Sequence, residues 1–141
     1  MSDLVKRGKK QPTIREKATA LTQSLAQKNY LGEIIALHQF VRDNIRYVRD
    51  IRGVETIHFP EQILSQEYGD CDDKAILLAS LLESIGHPTR FVAVGFTVPD
   101  DYSHVFVDTK YGPGWMSLET TENVPAGWRP PGIVAALPWY N

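Results

Sequence analysis

The sequence contains a single cysteine, no long apolar run and no marked excess of charge of either sign. One cysteine excludes an internal disulfide and a zinc site made of several thiolates, and it is typical of a reducing compartment. No apolar stretch approaches the roughly 18 residues of a membrane span, and the opening MSDLVKRGKKQ lacks the apolar segment of a signal peptide. We therefore expect a cytoplasmic protein without a membrane partner.

The charge balance gives no reason to expect a nucleic-acid partner. Lys and Arg number 15 and Asp and Glu 17, so no strong field favours nucleic acid.

The chain has 141 residues, which suits one domain. We expect this domain over residues 13–124, after a flexible basic arm at residues 1–12. A solvent-exposed tail is the preferred interpretation of this arm, and a nucleic-acid-binding segment is the alternative. Residues 125–141 are rich in proline and aromatics and predict a tail extended over the domain, with partner docking as the alternative. The oligomeric state is unknown.

Helical periodicity dominates the first half of the chain and strand-like composition the second. Apolar residues recur at helical spacing from about residue 13 to 28, from 31 to 45 and most clearly from 71 to 85, and a short helix is expected around EQILSQ after Pro60. The segment 50–60 follows neither period and predicts a loop. RFVAVGFTV, SHVFVDTK and GWMSLETT are rich in β-branched and aromatic residues. This order predicts an α+β fold, with N-terminal helices and a central helix packed on an antiparallel sheet.

Cys71 begins the most confident predicted helix. Asp70 is a suitable N-cap and Asp73 can return a reciprocal cap, so Cys71 would be the first helical residue, where the helix dipole and unpartnered N–H groups favour a thiolate and an oxyanion. The nearby acids oppose a thiolate unless they are engaged in capping or face solvent, and a cationic partner is then required. The alternative is a small buried core residue.

His104 is the histidine best placed to be that partner, because His38 and His87 suit a helix face and a turn. If an even number of residues connects the strands HVFVD and WMSLETT, opposing positions sum to 225 and Glu119 lies diagonally across from His104, within reach of its ring. Asp108 is about 13 Å from His104 along one strand, so Glu119 is the better orienting acid. Cys, His and acid can form a thiolate–imidazolium pair with an oriented ring. A lone histidine beside a surface glutamate remains the alternative, and no closed set of metal ligands can be assembled.

These residues together resemble the transglutaminase-like superfamily of papain-related cysteine enzymes. The likeness covers about residues 34–121 and rests on glycine and cysteine opening a helix, a Gly-x-Pro-x-Arg turn, a histidine near a strand start and an acid after tryptophan. The matching positions are Gly69, Cys71, Gly86, Pro88, Arg90, His104, Trp115 and Glu119.

The resemblance implies Cys71 as nucleophile, His104 as base and Glu119 as third member, with no cofactor. The family usually has aspartate followed by proline where this chain has Glu119-Thr120, so a slightly different geometry is expected. The chain looks like the short microbial or phage-type members, which implies a thiol hydrolase or acyl transferase acting on an amide bond of a peptide or protein substrate. The competing hypothesis is a catalytically idle module that binds a partner within a larger assembly.

Overall fold

The computed structural model describes residues 1–49, 58–98 and 101–141, and within them it confirms an α+β fold. A buried helix packs against a four-stranded antiparallel sheet, and four further helices surround that helix. The predicted loop at 50–60 falls largely outside the described residues. The elements are α1 (Ser2–Gly8), α2 (Pro12–Thr22), α3 (Tyr30–Asn44), β1 (Arg46–Tyr47), α4 (Pro60–Gln66), β2 (Tyr68–Gly69), α5 (Cys71–Ser84), β3 (Thr89–Gly95), β4 (His104–Tyr111), β5 (Gly114–Leu118) and β6 (Ala135–Tyr140).

Helix α5 is the centre of the core. Its residues from Asp73 to Leu82 are all buried, and it contacts α1, α2, α3, α4 and the sheet. Asp70 is its N-cap, as predicted, and Gly86 follows its end with φ +95°, a left-handed conformation that suits glycine. The apolar composition of α5 on all sides reflects this central position, since an exposed helix would keep one polar face.

The sheet has the strand order β5-β4-β3-β6 with every neighbouring pair antiparallel. The connection from β4 to β5 is Gly112-Pro113, because Tyr111 pairs with Gly114. Asp108 pairs with Ser117 and Val107 with Leu118, so opposing residue numbers sum to 225, as the sequence analysis predicted for an even connection. This register sends the chain beyond Leu118 back toward the beginning of β4, where His104 lies.

Both ends of the chain differ from their sequence-based description. Residues 1–12 were expected to form a flexible arm, but they contain α1, whose Val5 is 1% exposed in the main core. The apolar face of Leu4 and Val5 packs against α5 and outweighs the local excess of basic residues. Residues 125–141 do not form a separate tail. Their last part is β6, which pairs with β3, and Ile133 packs against the apolar cluster on the sheet face opposite α5.

Helix α2 ends earlier than the periodicity predicted. It stops at Thr22, whereas the pattern of apolar residues continues to about Lys28. Lys28 has a positive φ of 62°, and Asn29 then caps α3 by accepting from the Gly32 N–H at 3.0 Å. Asn29 therefore fixes the start of α3, and residues 23–28 connect the two helices.

Candidate active site

Cys71 is the first residue of α5 and is partly exposed. Asp70 and Asp73 cap each other reciprocally: the Asp73 N–H donates to Asp70 Oδ1 at 2.8 Å and the Asp70 N–H donates to Asp73 Oδ2 at 3.2 Å. Two of the three acids next to Cys71 are thus engaged in the cap, whereas the third, Asp72, accepts from the Cys71 thiol with Sγ and Oδ1 3.9 Å apart. The Cys71 N–H lies at the helix N-terminus, where α5 supplies no carbonyl to accept it.

His104 and Glu119 are in direct contact. The His104 Nε2 atom lies 2.6 Å from Glu119 Oε2, and the Glu119 side chain is 1% exposed. Glutamate therefore contacts the ring at this position, although its side chain is one methylene longer than that of the aspartate usual in the family. Cys71 and His104 line the same cavity between the start of α5 and the sheet. Because Nε2 faces Glu119, Nδ1 is the ring nitrogen left for the thiol.

The surroundings of His104 favour its charged form. Burial lowers the pKa of the imidazole, but hydrogen bonds with Cys71 and Glu119 and the charge of Glu119 outweigh that effect and raise the pKa to about 10. Burial in turn raises the pKa of Glu119, whereas its contacts with His104 and Thr121 more than compensate and lower it below its usual value. At neutral pH these shifts describe an imidazolium beside a carboxylate.

Glu119 is held in place by its own backbone neighbours. Its Oε1 atom accepts from the Thr120 N–H at 3.1 Å, from the Thr121 N–H at 3.1 Å and from the Thr121 hydroxyl at 2.9 Å. Oε2 is then left to face His104. The Thr120 N–H thus makes a hydrogen bond that a proline at this position could not make.

His38 is a site residue that the sequence analysis missed. It lies on a face of α3, as expected, but that face is buried, and its Nε2 lies 2.6 Å from the backbone oxygen of Glu119. Since a carbonyl only accepts, Nε2 carries the proton, and Nδ1 is buried without a hydrogen-bond partner among the described residues. Burial lowers the pKa of His38, so the ring stays neutral. A histidine among the apolar positions of α3, at the predicted core face, was the available signal.

Tyr47, Lys74 and His87 are further titratable side chains of the described residues. Tyr47, on β1, pairs in register with Gly69, which lies two residues before Cys71. Burial, and to a smaller extent the charge of Cys71, raise the pKa of the Tyr47 hydroxyl. Lys74 is buried in α5 and donates to the Ile45 carbonyl at 2.6 Å; burial lowers its pKa to about 8. His87 pairs with Glu33 at 2.7 Å and does not line the Cys71 cavity.

Comparison with protein families identifies the chain. The model of the transglutaminase-like superfamily matches residues 5–120. This protein belongs to the transglutaminase-like superfamily. The comparison with curated proteins found no match for this chain.

Solved structures share the fold of this transglutaminase-like chain. LapG of Legionella pneumophila, in an EGTA-treated form, is similar over 99% of this chain and 84% of its own, with a TM-score of 0.64 and 18% identity. A candidate cysteine protease from Cytophaga hutchinsonii covers 92% of this chain at a TM-score of 0.63 and 15% identity. A candidate protease from Parabacteroides distasonis covers 87% at 0.65 and 19%. This chain spans only 46% and 26% of the latter two proteins.

Two further findings concern metals and membranes. Within residues 1–49, 58–98 and 101–141, no three or more His, Cys, Asp and Glu side chains are grouped so that they could hold a metal ion. Among the helices of these same ranges, none has the length and apolar character needed to cross a bilayer.

Proposed function

We propose that this transglutaminase-like protein is a thiol hydrolase or acyl transferase that acts on an amide bond of a peptide or protein. The observation that carries the proposal is the position of His104, which contacts Glu119 on one side and shares a cavity with Cys71 on the other. The charged form of the ring, with its pKa raised to about 10, suits it as the partner of a thiolate.

The proposed reaction proceeds in two halves. The Cys71 thiolate adds to the amide carbonyl, a C–S bond forms, and the oxyanion is held at the N-terminus of α5, where the Cys71 N–H points outward. As the C–N bond breaks, the His104 imidazolium gives its proton to the leaving amine. A water molecule then attacks the thioester while His104 takes its proton; the C–S bond breaks and the thiolate returns. If an amine replaces water, the same steps transfer the acyl group.

Glu119 would keep the ring in the required orientation and tautomer and would stabilise its positive charge. The hydrogen bonds from Thr120 and Thr121 fix Oε1, so that Oε2 faces His104. This part of the proposal does not require the carboxylate to change its protonation state during the reaction.

Alkylation of Cys71 tests the proposal. An ordinary free thiol has a pKa of about 8.5 and hardly reacts with iodoacetamide at pH 6. We expect Cys71 to be labelled readily at pH 6 in the native protein, and His104→Ala to abolish that reactivity. His87→Ala is a matched control, because His87 also pairs with a glutamate but lies outside the Cys71 cavity. Equal labelling of the native protein and His104→Ala would refute the enzyme hypothesis and favour a binding module.

A further inference from the structure

The cavity beside Cys71 has one polar end and one apolar end. Its volume is about 470 Å³, within the usual range for sites that bind small ligands or parts of larger ones. Two polar lining residues, Asp72 and Ser103, are sequence neighbours of Cys71 and His104, so the end with the proposed reacting groups is polar; Met1 and Ser2, at the start of α1, also line the cavity. The floor away from them consists of Phe91, Ala93, Val105 and Trp139.

The register of the sheet explains why this floor is apolar and hollow. Phe91 lies opposite Trp139 in the pair of β3 and β6, and Ala93 lies opposite Val105 in the pair of β3 and β4, so all four side chains share one sheet face. Ala93 provides only a methyl group at the centre of this set. The large rings of Phe91 and Trp139 therefore border a depression over Ala93.

Trp139 indicates that the depression is suited to an apolar occupant. Phe91, Ala93 and Val105 are at most 8% exposed, but Trp139 on the outer strand is 48% exposed. Tyr102, which lines the same cavity, is also exposed. Exposed aromatic side chains continuous with a catalytic cleft are typical of surfaces that a bound partner covers. A polar substrate side chain would find few hydrogen-bond partners on this floor.

We infer that the depression bordered by Phe91, Ala93, Val105 and Trp139 holds a large apolar side chain of the substrate, at one of the two residues on the carbonyl side of the amide bond that is cleaved. This inference rests on the proposed function, because it takes Cys71 as the attacking group. Burial of a side chain of the size of phenylalanine favours binding by roughly 10- to 100-fold over glycine.

Three chloromethyl ketones test the inference: acetyl-Gly-Phe, acetyl-Phe-Gly and acetyl-Gly-Gly. In each, the thiolate displaces chloride and forms a C–S bond, and mass spectrometry of the full chain measures the rate of labelling at Cys71. We expect at least one phenylalanine reagent to react 10-fold faster or more than the Gly-Gly reagent. Trp139→Ala should reduce this preference to within about 3-fold.

Tyr140→Ala is the matched control, since it removes a comparable ring from the next position of β6. Tyr140 lies on the opposite sheet face, where its ring contacts Trp115 and Arg90, and it does not line the cavity. The preference for phenylalanine should survive in Tyr140→Ala. Loss of the preference to the same extent in both variants would overturn the assignment of this surface.

Iodoacetamide separates the two levels of the argument because it is too small to fill the depression. If labelling by iodoacetamide depends on His104 but the three ketones react at equal rates, the pocket inference is wrong and the proposed function stands. If iodoacetamide labelling does not depend on His104, the proposed function fails and the pocket inference fails with it.

Discussion

Replacement of Glu119 by glutamine should destabilise the protein in a manner that depends on pH. The change keeps the size of the side chain but removes the charge that faces His104 at 2.6 Å. A hydrogen bond between charged groups contributes about 1.5–3 kcal/mol, and disruption of a buried pair costs about 3–5 kcal/mol. Because the amide oxygen of glutamine can still accept from Thr120 and Thr121, we expect a loss of about 2–4 kcal/mol in the free energy of unfolding at pH 6.

The sign of the pH dependence follows from the two pKa shifts. The folded state raises the pKa of His104 from 6.5 to about 10, so the stabilisation of its imidazolium is complete below pH 6.5 and is lost as the pH rises through 10. The lowered pKa of Glu119 makes its contribution available above about pH 4.5. The cost of Glu119→Gln should therefore be greatest near pH 6 and fall to about 1 kcal/mol by pH 10. Lys74, with its pKa of about 8, is attracted by the same carboxylate and changes the cost in the same direction.

Urea unfolding at pH 6, 8 and 10 measures this cost, with Asp108→Asn as the control. Asp108 is also 1% exposed and accepts from the Arg90 Nε at 2.9 Å, but arginine keeps its charge throughout this range. The cost of Asp108→Asn should therefore stay constant from pH 6 to pH 10. A cost of Glu119→Gln that is equally constant, or that increases toward pH 10, would show that His104 is not held as an imidazolium by this carboxylate.

Two further substitutions test the support of the site. His38→Phe keeps a ring in the core but leaves the buried Glu119 carbonyl without its donor, so the free energy of unfolding should fall by about 1–3 kcal/mol in urea titrations; an unchanged midpoint would contradict the buried hydrogen bond. Asp70→Ala removes the cap of α5 and should cost about 0.5–2 kcal/mol, whereas a neutral result in thermal unfolding would mean that Asp73 alone holds this helix end.

Features encoded by neighbouring residues were predictable from the sequence. The cap of α5 follows from the three-residue spacing of Asp70 and Asp73, and the sheet register follows from the two-residue turn between Tyr111 and Gly114. Since side chains alternate along a strand, that turn alone decides whether Glu119 and His104 share a face. The contact of His104 with Glu119 could therefore be anticipated on the one condition that the connection has an even number of residues.

Features that depend on distant packing were not predictable in this way. The basic residues of α1 suggested a solvated arm because their sequence does not show that α5 offers an apolar surface for Val5. Strand β6 contains Pro138, which locally argues against a strand. The pairing of β6 with β3 explains why proline is tolerated. The Asn141 N–H donates to the Thr89 carbonyl, so the backbone groups of every second residue counted back from Asn141 point toward β3. Pro138 falls between these positions, and its backbone nitrogen points away from β3 on the edge strand.

The role of Pro138 also bears on how a substrate could approach. An edge strand with free N–H groups invites an extended peptide to pair with it, but β6 lacks one of its outward N–H groups at Pro138. Main-chain pairing with β6 is therefore weakened, whereas the face that carries Trp139 stays accessible beside Cys71. Under the proposed function, we expect recognition at this cleft to depend on side-chain burial more than on added strand pairing, so the three chloromethyl ketones should differ in rate although they have the same length.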